Sequence, residues 1–373
     1  MENKKIAFLA LSLSNGGAER VISNLLINLN KEYEKYLILI DGDDIEYPYE
    51  GEIVNLKFFK KHDGVFKYLN YLLSYYKLKK IKQKYKFDVV ISFLEVPSFL
   101  NILTKQEEKV IISVRNYTSK AFHGIKARIY FPLIRKLYNL SDKVISVSKE
   151  AGEDLIINFG IMRKKIEIIY NFYDLKKIDI LSKENLEKEY KNIFKKKVII
   201  NTGRLTKQKG QKYLIEAFSK IKNREKYNLV ILGNGELEKE LKEQCKLLNI
   251  EKEVFFLGFQ KNPFKFLRKA EIFVFPSLFE GFPNALSEAM ACGLPIISTD
   301  CQSGPKEILE DKYGIVIKEY ENREKLVEEL VTNIEKLEDK TLRNYYSEMS
   351  LKRIKEFEKE KIIKKWEKLI DKI

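Results

Sequence analysis

Short apolar runs alternate with amphipathic stretches along almost the whole chain. No other feature narrows the fold as much. Ile6–Leu11, Tyr36–Ile40, Val89–Phe93, Val110–Val114 and Lys143–Ser146 read as strands, and helix-period segments lie between several of them at Ala18–Asn30, Val65–Lys84 and Ala127–Asn139. This βαβα rhythm predicts an α/β layer structure with a parallel sheet. The rhythm restarts near Val198. Strands are expected at Val198–Asn201, Leu229–Leu232, Val254–Leu257, Ile272–Phe275 and Ile296–Ser298, with helices near Gln211–Ile221, Glu236–Leu248 and Asn284–Cys292. Between the two sets, Asp174–Lys197 is rich in Lys and Glu and reads as a connection holding one helix. Two doubly wound halves are therefore predicted, facing across a cleft, with ligands beyond the carboxyl ends of the strands. The tail, Leu342–Ile373, has the pattern of a long charged helix. Its apolar stripe of Leu351, Ile354, Phe357, Ile362, Trp366, Leu369 and Ile370 includes the only tryptophan, which predicts that the helix docks.

Composition excludes several classes. Charged residues are 33% and hydrophobic ones 45% of 373 residues, so the chain is neither disordered, collagen-like nor a disulfide scaffold. Cys245, Cys292 and Cys301 form no CxxC or Cys/His cluster, and a reducing compartment is the simplest expectation. The two histidines, His62 and His123, are far apart, which argues against a zinc site. No window holds the roughly 18–20 apolar residues that cross a bilayer. The N-terminus imitates a short signal peptide but lacks a small-residue cleavage site, so Ile6–Leu13 is read as a buried strand. The 69 Lys and Arg against 54 Asp and Glu leave a net charge of +15. Such a balance predicts an anionic partner: nucleic acid, a membrane surface or a phosphate-bearing substrate.

Three motifs each follow a strand. The first is Ser14-Asn15-Gly16-Gly17-Ala18-Glu19-Arg20. Its glycines allow close approach to a ligand before a helix whose amides favour anions, although a tight turn would read the same. It is neither a GxGxxG loop nor a P-loop. The second is Thr202-Gly203-Arg204-Leu205 with Lys207-Gln208-Lys209-Gly210, where Arg204 and Lys209 are five residues apart and could straddle a diphosphate. A solvated basic turn is the plainer alternative. The third is the most specific. It runs from Phe275-Pro276-Ser277 through Glu280-Gly281-Phe282-Pro283-Asn284-Ala285-Leu286-Ser287-Glu288 to Gly293 and Pro295. Glu280 precedes a helix, Glu288 lies on it, and the amides between suit a phosphate.

The Glu280 to Glu288 run, with seven residues between, resembles the E-x7-E motif of retaining GT-B glycosyltransferases of the large family four. Gly203-Arg204-Leu205 with Lys209-Gly210 is similar to that family's diphosphate-binding stretch. Gly16-Gly17-x-Glu19 is similar to its N-terminal glycine loop, and Ser303–Ile308 to its segment after the last core strand. The resemblance spans essentially the whole chain. It implies the GT-B fold: two Rossmann-like domains, residues 1–172 for the acceptor and 173–345 for the nucleotide sugar, with a C-terminal helix, 346–373, returning to the first. It further implies that Arg204 and Lys209 neutralise the donor diphosphate, that Glu280 binds the transferred sugar and Glu288 the ribose. Amides near Phe282, Pro283, Asn284, Ala285 and Leu286 would meet the phosphates beside Gly281. Gly233, Gly235 and Phe259 would line the base pocket. Where many members have a histidine after the strand equivalent to Val110–Val114, this chain has Arg115 and Asn116; the resemblance implies Asn116 as a catalytic candidate and Arg115, Gly16 and Gly17 as substrate-binding ones. The family uses no cofactor in this reading, and no metal is expected.

Asp41-Gly42-Asp43-Asp44 imitates a DxD metal site but lies away from the nucleotide motifs, and an ordinary turn explains it. Residues 57–86 hold ten lysines and one acid, with Val65, Leu69, Leu72, Leu73 and Tyr76 at helical spacing. Residues 115–136 add six cations and no acid among Phe122, Ile125, Ile129, Tyr130, Phe131 and Leu133. Either segment alone could be a helix with its apolar stripe in the core. Together they predict a peripheral, anionic-membrane face on the cytoplasmic side that receives a polyprenyl-diphosphate-linked saccharide. Nucleic acid is disfavoured for want of a binding motif. The expected activity is transfer of a hexose or N-acetylhexosamine from a nucleotide diphosphate sugar, UDP first among candidates. A sugar-nucleotide epimerase, a phosphorylase and a non-catalytic membrane-binding protein remain as alternatives.

Overall fold

The computed structural model describes residues 3–14, 16–42, 45–57, 65–301 and 303–373, and only the backbone of 65–68. Asn15, Asp43, Asp44, His62, the 58–64 part of the lysine-rich segment and the side chain of Val65 lie outside the described residues.

The chain divides into two units. One comprises residues 1–171 with 360–373, the other 172–359. The first unit is built on β1 (Lys5–Ala10), β2 (Glu34–Leu39), β3 (Glu52–Asn55), β4 (Val89–Phe93), β5 (Lys109–Val114), β6 (Lys143–Ser146) and β7 (Ile166–Ile168). All neighbours are parallel, in the order β3-β2-β1-β4-β5-β6-β7. The central strands are buried along nearly their whole length, as expected for a parallel sheet covered on both faces. One face carries two adjoining clusters, Leu9, Ile38, Leu78 and Val90 in one and Ile112, Ile134, Tyr138 and Leu155 in the other.

The second unit repeats the design. It holds β8 (Lys197–Thr202), β9 (Tyr227–Leu232), β10 (Val254–Phe256), β11 (Ile272–Phe275), β12 (Ile296–Thr299) and β13 (Ile315–Ile317), in the parallel order β10-β9-β8-β11-β12-β13. In each unit the order reverses beside the first strand: between β1 and β4, and between β8 and β11. Such a switch point opens a crevice at the carboxyl edge.

Three strands were not expected from the sequence. β3, β7 and β13 are only three or four residues long, and each lies at a sheet edge. The Ser303–Ile308 segment follows β12 and precedes the edge strand β13. The helices Glu95–Leu103, Lys149–Phe159 and Arg323–Lys336 were likewise not singled out.

The tail is not one helix. Lys340–Ile354 is helical, Lys355–Phe357 tightens to a 3-10 turn, Glu358 is extended, and Lys359–Lys372 is helical again. Residues 346–359 belong to the second unit and 360–373 to the first. In the first unit Trp366 is buried and stacks on Phe93 at 6.3 Å, with Ile362, Leu369 and Ile370 buried beside it. Lys4 Nζ donates to the Ile370 carbonyl, and the Tyr33 hydroxyl donates to Asp371 at 2.7 Å.

Candidate active site

In the second unit the three strand ends β8, β9 and β10 each close on a glycine. Gly203 N–H donates to Leu232 O at 2.9 Å, and Gly233 N–H to Gly258 O at 2.8 Å. Gly233 has φ +131°, and a Cβ there would lie 2.1 Å from the Gly203 carbonyl, so only glycine fits. Asn234 O accepts from Leu205 N–H at 2.9 Å, and Gly235 packs on the Leu205 backbone. The 203–205 and 233–235 loops thus form one backbone layer at the carboxyl edge. Phe259, beyond Gly258, stands 67% exposed.

On the other side of β8, the 207–210 turn is stitched to the loop after β11. Leu278 N–H donates to Gln208 O at 2.8 Å, and Gln208 Nε2 donates to Phe279 O at 2.8 Å. Gly210 sits at φ +65°, where a Cβ would lie 2.1 Å from Pro276 O. This close approach brings Lys209 Nζ to 2.6 Å from Glu280 Oε1 and over the Phe275 ring. Glu280 and Glu288 are both buried, while Arg204 is exposed. Lys209 is already engaged by a carboxylate, and Arg204 is exposed.

The helix Asn284–Ala291 begins just after Pro283, four residues beyond Glu280, and its N-terminus has no side-chain cap. Ser303 Oγ donates to Gly281 O at 2.8 Å and braces this turn. Phe282 meets the Phe357 ring edge-on at 5.5 Å, and the Tyr173 hydroxyl donates to Asn284 Oδ1 at 2.8 Å. Glu288 lies on the helix near Cys292. Burial, with the Glu288 charge second, pushes the Cys292 thiol up to about 12. Cys301 is raised still further, by burial and then by Glu280.

The first unit carries the remaining candidates. Gly16 caps the helix Gly17–Asn28 and lies against the Glu19 carboxylate, whose burial raises its pKa. Arg115 donates to Asn171 Oδ1 and to Ser113 Oγ. Asn116 Nδ2 donates to Glu95 Oε1 at 3.1 Å. Glu95 was not singled out by sequence reasoning. The available signal was an acid directly after the β4 run, at the strand's carboxyl end. Asp41 of the DxD-like run pairs with Lys57 at 3.1 Å. The described residues contain no cluster of metal-ligand type, and no helix among them is long and apolar enough to cross a membrane.

Comparison with known proteins places the chain in a family. Residues 182–353 match the profile of the glycosyl transferases group 1, and residues 15–177 that of glycosyltransferase family 4. An uncharacterized glycosyltransferase of Methanocaldococcus jannaschii is 39% identical over 79% of this chain and 82% of its own. The N-acetylgalactosamine-N,N'-diacetylbacillosaminyl-diphospho-undecaprenol 4-alpha-N-acetylgalactosaminyltransferase of Campylobacter jejuni is 35% identical over 96% of this chain and 97% of its own. Among solved structures, Anabaena HepE in complex with UDP superposes with a TM-score of 0.78 at 19% identity, covering 99% of this chain and 100% of that one. The lipopolysaccharide outer core galactosyltransferase WaaB gives 0.77 with the same identity and coverage.

Proposed function

The chain belongs to the family four, group 1 glycosyltransferases of GT-B fold, and from that premise we propose that it moves a hexose or N-acetylhexosamine from a nucleotide diphosphate sugar, UDP-linked, to a polyprenyl-diphosphate-linked saccharide with retention of configuration. The observation that carries the donor half is the Lys209–Glu280 pair, held at the β8/β11 switch point beside the uncapped helix start at Asn284. Lys209, Arg204 and the amides of Asn284, Ala285 and Leu286 meet the diphosphate and stabilise the charge that develops as the nucleotide leaves. Glu280 turns its carboxylate to hydroxyls of the transferred sugar, and Glu288 to the ribose. The base stacks near Phe259 on the Gly233 and Gly235 layer. The leaving phosphate assists attack from the same face of the sugar. No metal or cofactor is assigned a role.

The acceptor half rests on two observations. The Campylobacter relative is named for a diphospho-undecaprenol saccharide. In the first unit, Leu69, Leu72 and Tyr76 are exposed on the helix Val65–Tyr85, and Ile125 and Ile129 on the helix Gly124–Leu137, among the lysines and arginines of those helices. Apolar side chains left in solvent beside cations fit the interfacial layer of an anionic membrane on its cytoplasmic side. The deciding experiment incubates the enzyme with a panel of nucleotide sugars and a bacterial lipid extract and follows nucleotide release. Release with one donor, dependent on the extract and lost in Glu280→Ala, is expected. Conversion of the donor without any extract would overturn the transfer reaction. Sedimentation with phosphatidylglycerol vesicles, weakened by salt and by Ile125→Glu, tests the membrane face.

A further inference from the structure

The switch point of the first unit places a carboxylate where the second unit places Glu280. In both sheets a glycine follows the first strand and a glutamate follows the strand across the switch point: Gly16 and Glu95 after β1 and β4, where Glu95 opens a helix, and Gly203 and Glu280 after β8 and β11, where Glu280 lies in a loop. Leu94, the one residue between β4 and the helix Glu95–Leu103, has φ 67° and ψ 175°. Residues other than glycine avoid that region at a cost of about 1–3 kcal/mol, and such strain clusters at functional sites. The bend sets Glu95 at the carboxyl edge of the sheet.

Glu95 is mostly covered but not fully buried. Asn116 Nδ2 donates to its Oε1 at 3.1 Å, and the Thr118 hydroxyl donates to Asn116 Oδ1 at 3.3 Å, which fixes the amide's orientation. Burial raises the Glu95 carboxyl above the usual range, with the Asn116 bond opposing it. Glu280 has a lysine within ion-pair distance. Among the described residues, Glu95 makes no ion pair with a lysine or arginine. An ionised carboxylate accepts a strong, charge-assisted hydrogen bond from a hydroxyl.

We propose that Glu95 binds a hydroxyl of the acceptor saccharide, and that Asn116 holds its carboxylate in position to do so. This role rests on the transferase reading above. A purely structural role is the competing account, because an acid in the first turn of a helix favours the helix by itself. The two differ in what a substitution moves.

The test varies the lipid-linked acceptor at saturating donor for the wild type, Glu95→Gln, Glu95→Ala and Asn116→Ala. UDP binding by calorimetry and the melting temperature are measured on the same samples. In Glu95→Ala the kcat/KM for acceptor should fall roughly 10- to 150-fold, the range open to a hydrogen bond with a charged group. UDP affinity should stay unchanged. Glu95→Gln keeps the shape and carries the test if the alanine variant does not fold. Its acceptor kcat/KM should fall in the same direction, and Asn116→Ala should raise acceptor KM more than it lowers kcat. Acceptor kinetics unchanged in folded Glu95→Gln would overturn the proposal. A fall matched by equal losses of UDP affinity and melting temperature would do the same, since that is the structural pattern. Wild-type enzyme that releases no nucleotide with any donor and acceptor would instead overturn the transferase reading, and this role with it.

Discussion

Removing Lys209 should separate stability from catalysis. Its Nζ lies 2.6 Å from Glu280 Oε1, and the two side chains are 16% and 8% exposed. Lys209→Met therefore strands a buried carboxylate. Losing one partner of a buried pair costs about 3–5 kcal/mol, and the residual exposure of the lysine puts this case near 3. For a unit of this size that corresponds to a melting point lower by roughly 6–12 °C. Glu280→Gln leaves the lysine unpaired but closer to solvent, so it should cost less. The double variant Lys209→Met/Glu280→Gln buries no unpaired charge, and the pair should show a coupling energy of about 1.5–3 kcal/mol in a double-mutant cycle. Turnover behaves differently. The double variant lacks both the cation for the diphosphate and the carboxylate for the sugar, so nucleotide release should remain at least about 100-fold below wild type. Thermal unfolding by circular dichroism and a nucleotide-release assay on all four proteins decide the matter. Additive stability losses would refute the coupling. Wild-type turnover in the double variant would refute the site.

Three further outcomes follow from the same contacts. Trp366→Ala removes a fully buried ring from its stack on Phe93 and should destabilise the first unit by about 3–5 kcal/mol, read by urea unfolding. Gly210→Ala forces a Cβ to within 2.1 Å of the Pro276 carbonyl at φ +65°, so the Lys209 turn must shift and transfer should fall even in protein that remains folded. All three thiols are buried, and burial raises each, Cys245 to about 11 and Cys292 to about 12. A disulfide reagent such as DTNB at pH 8 should titrate none of them until the protein is unfolded, because the thiolate is the reactive form.

The central strands were legible because burial on both faces leaves an unbroken apolar run, as in Val89–Phe93 and Ile272–Phe275, whose bounds agree with the sequence reading. The edge strands were not. β3 is exposed along most of its length, and in β7 all three residues are only partly covered, so neither carries an apolar run to recognise. The helix Glu95–Leu103 was hidden by its own apolarity, since a buried helix loses the polar face that marks the helical period. The break at Lys355–Glu358 was also invisible. The apolar stripe continues through it, but Phe357 O accepts from Tyr173 N–H and Lys359 N–H donates to Tyr173 O, contacts made with a segment nearly two hundred residues earlier.

Among the site residues, Glu280, Gly281 and the helix that begins at Asn284 could be placed from local spacing, and their family followed from the order of the motifs. The order of strands, the turn glycines and the helix starts are local properties, written in runs of a few residues, and the sequence alone determined them. The pairing of Lys209 with Glu280, the exposure of Arg204 and the meeting of Glu95 with Asn116 were decided only by tertiary structure. Each depends on which strands become neighbours when the sheet reverses at its switch point. Hydrogen bonding between parallel strands, rather than any nearby residue, sets that adjacency.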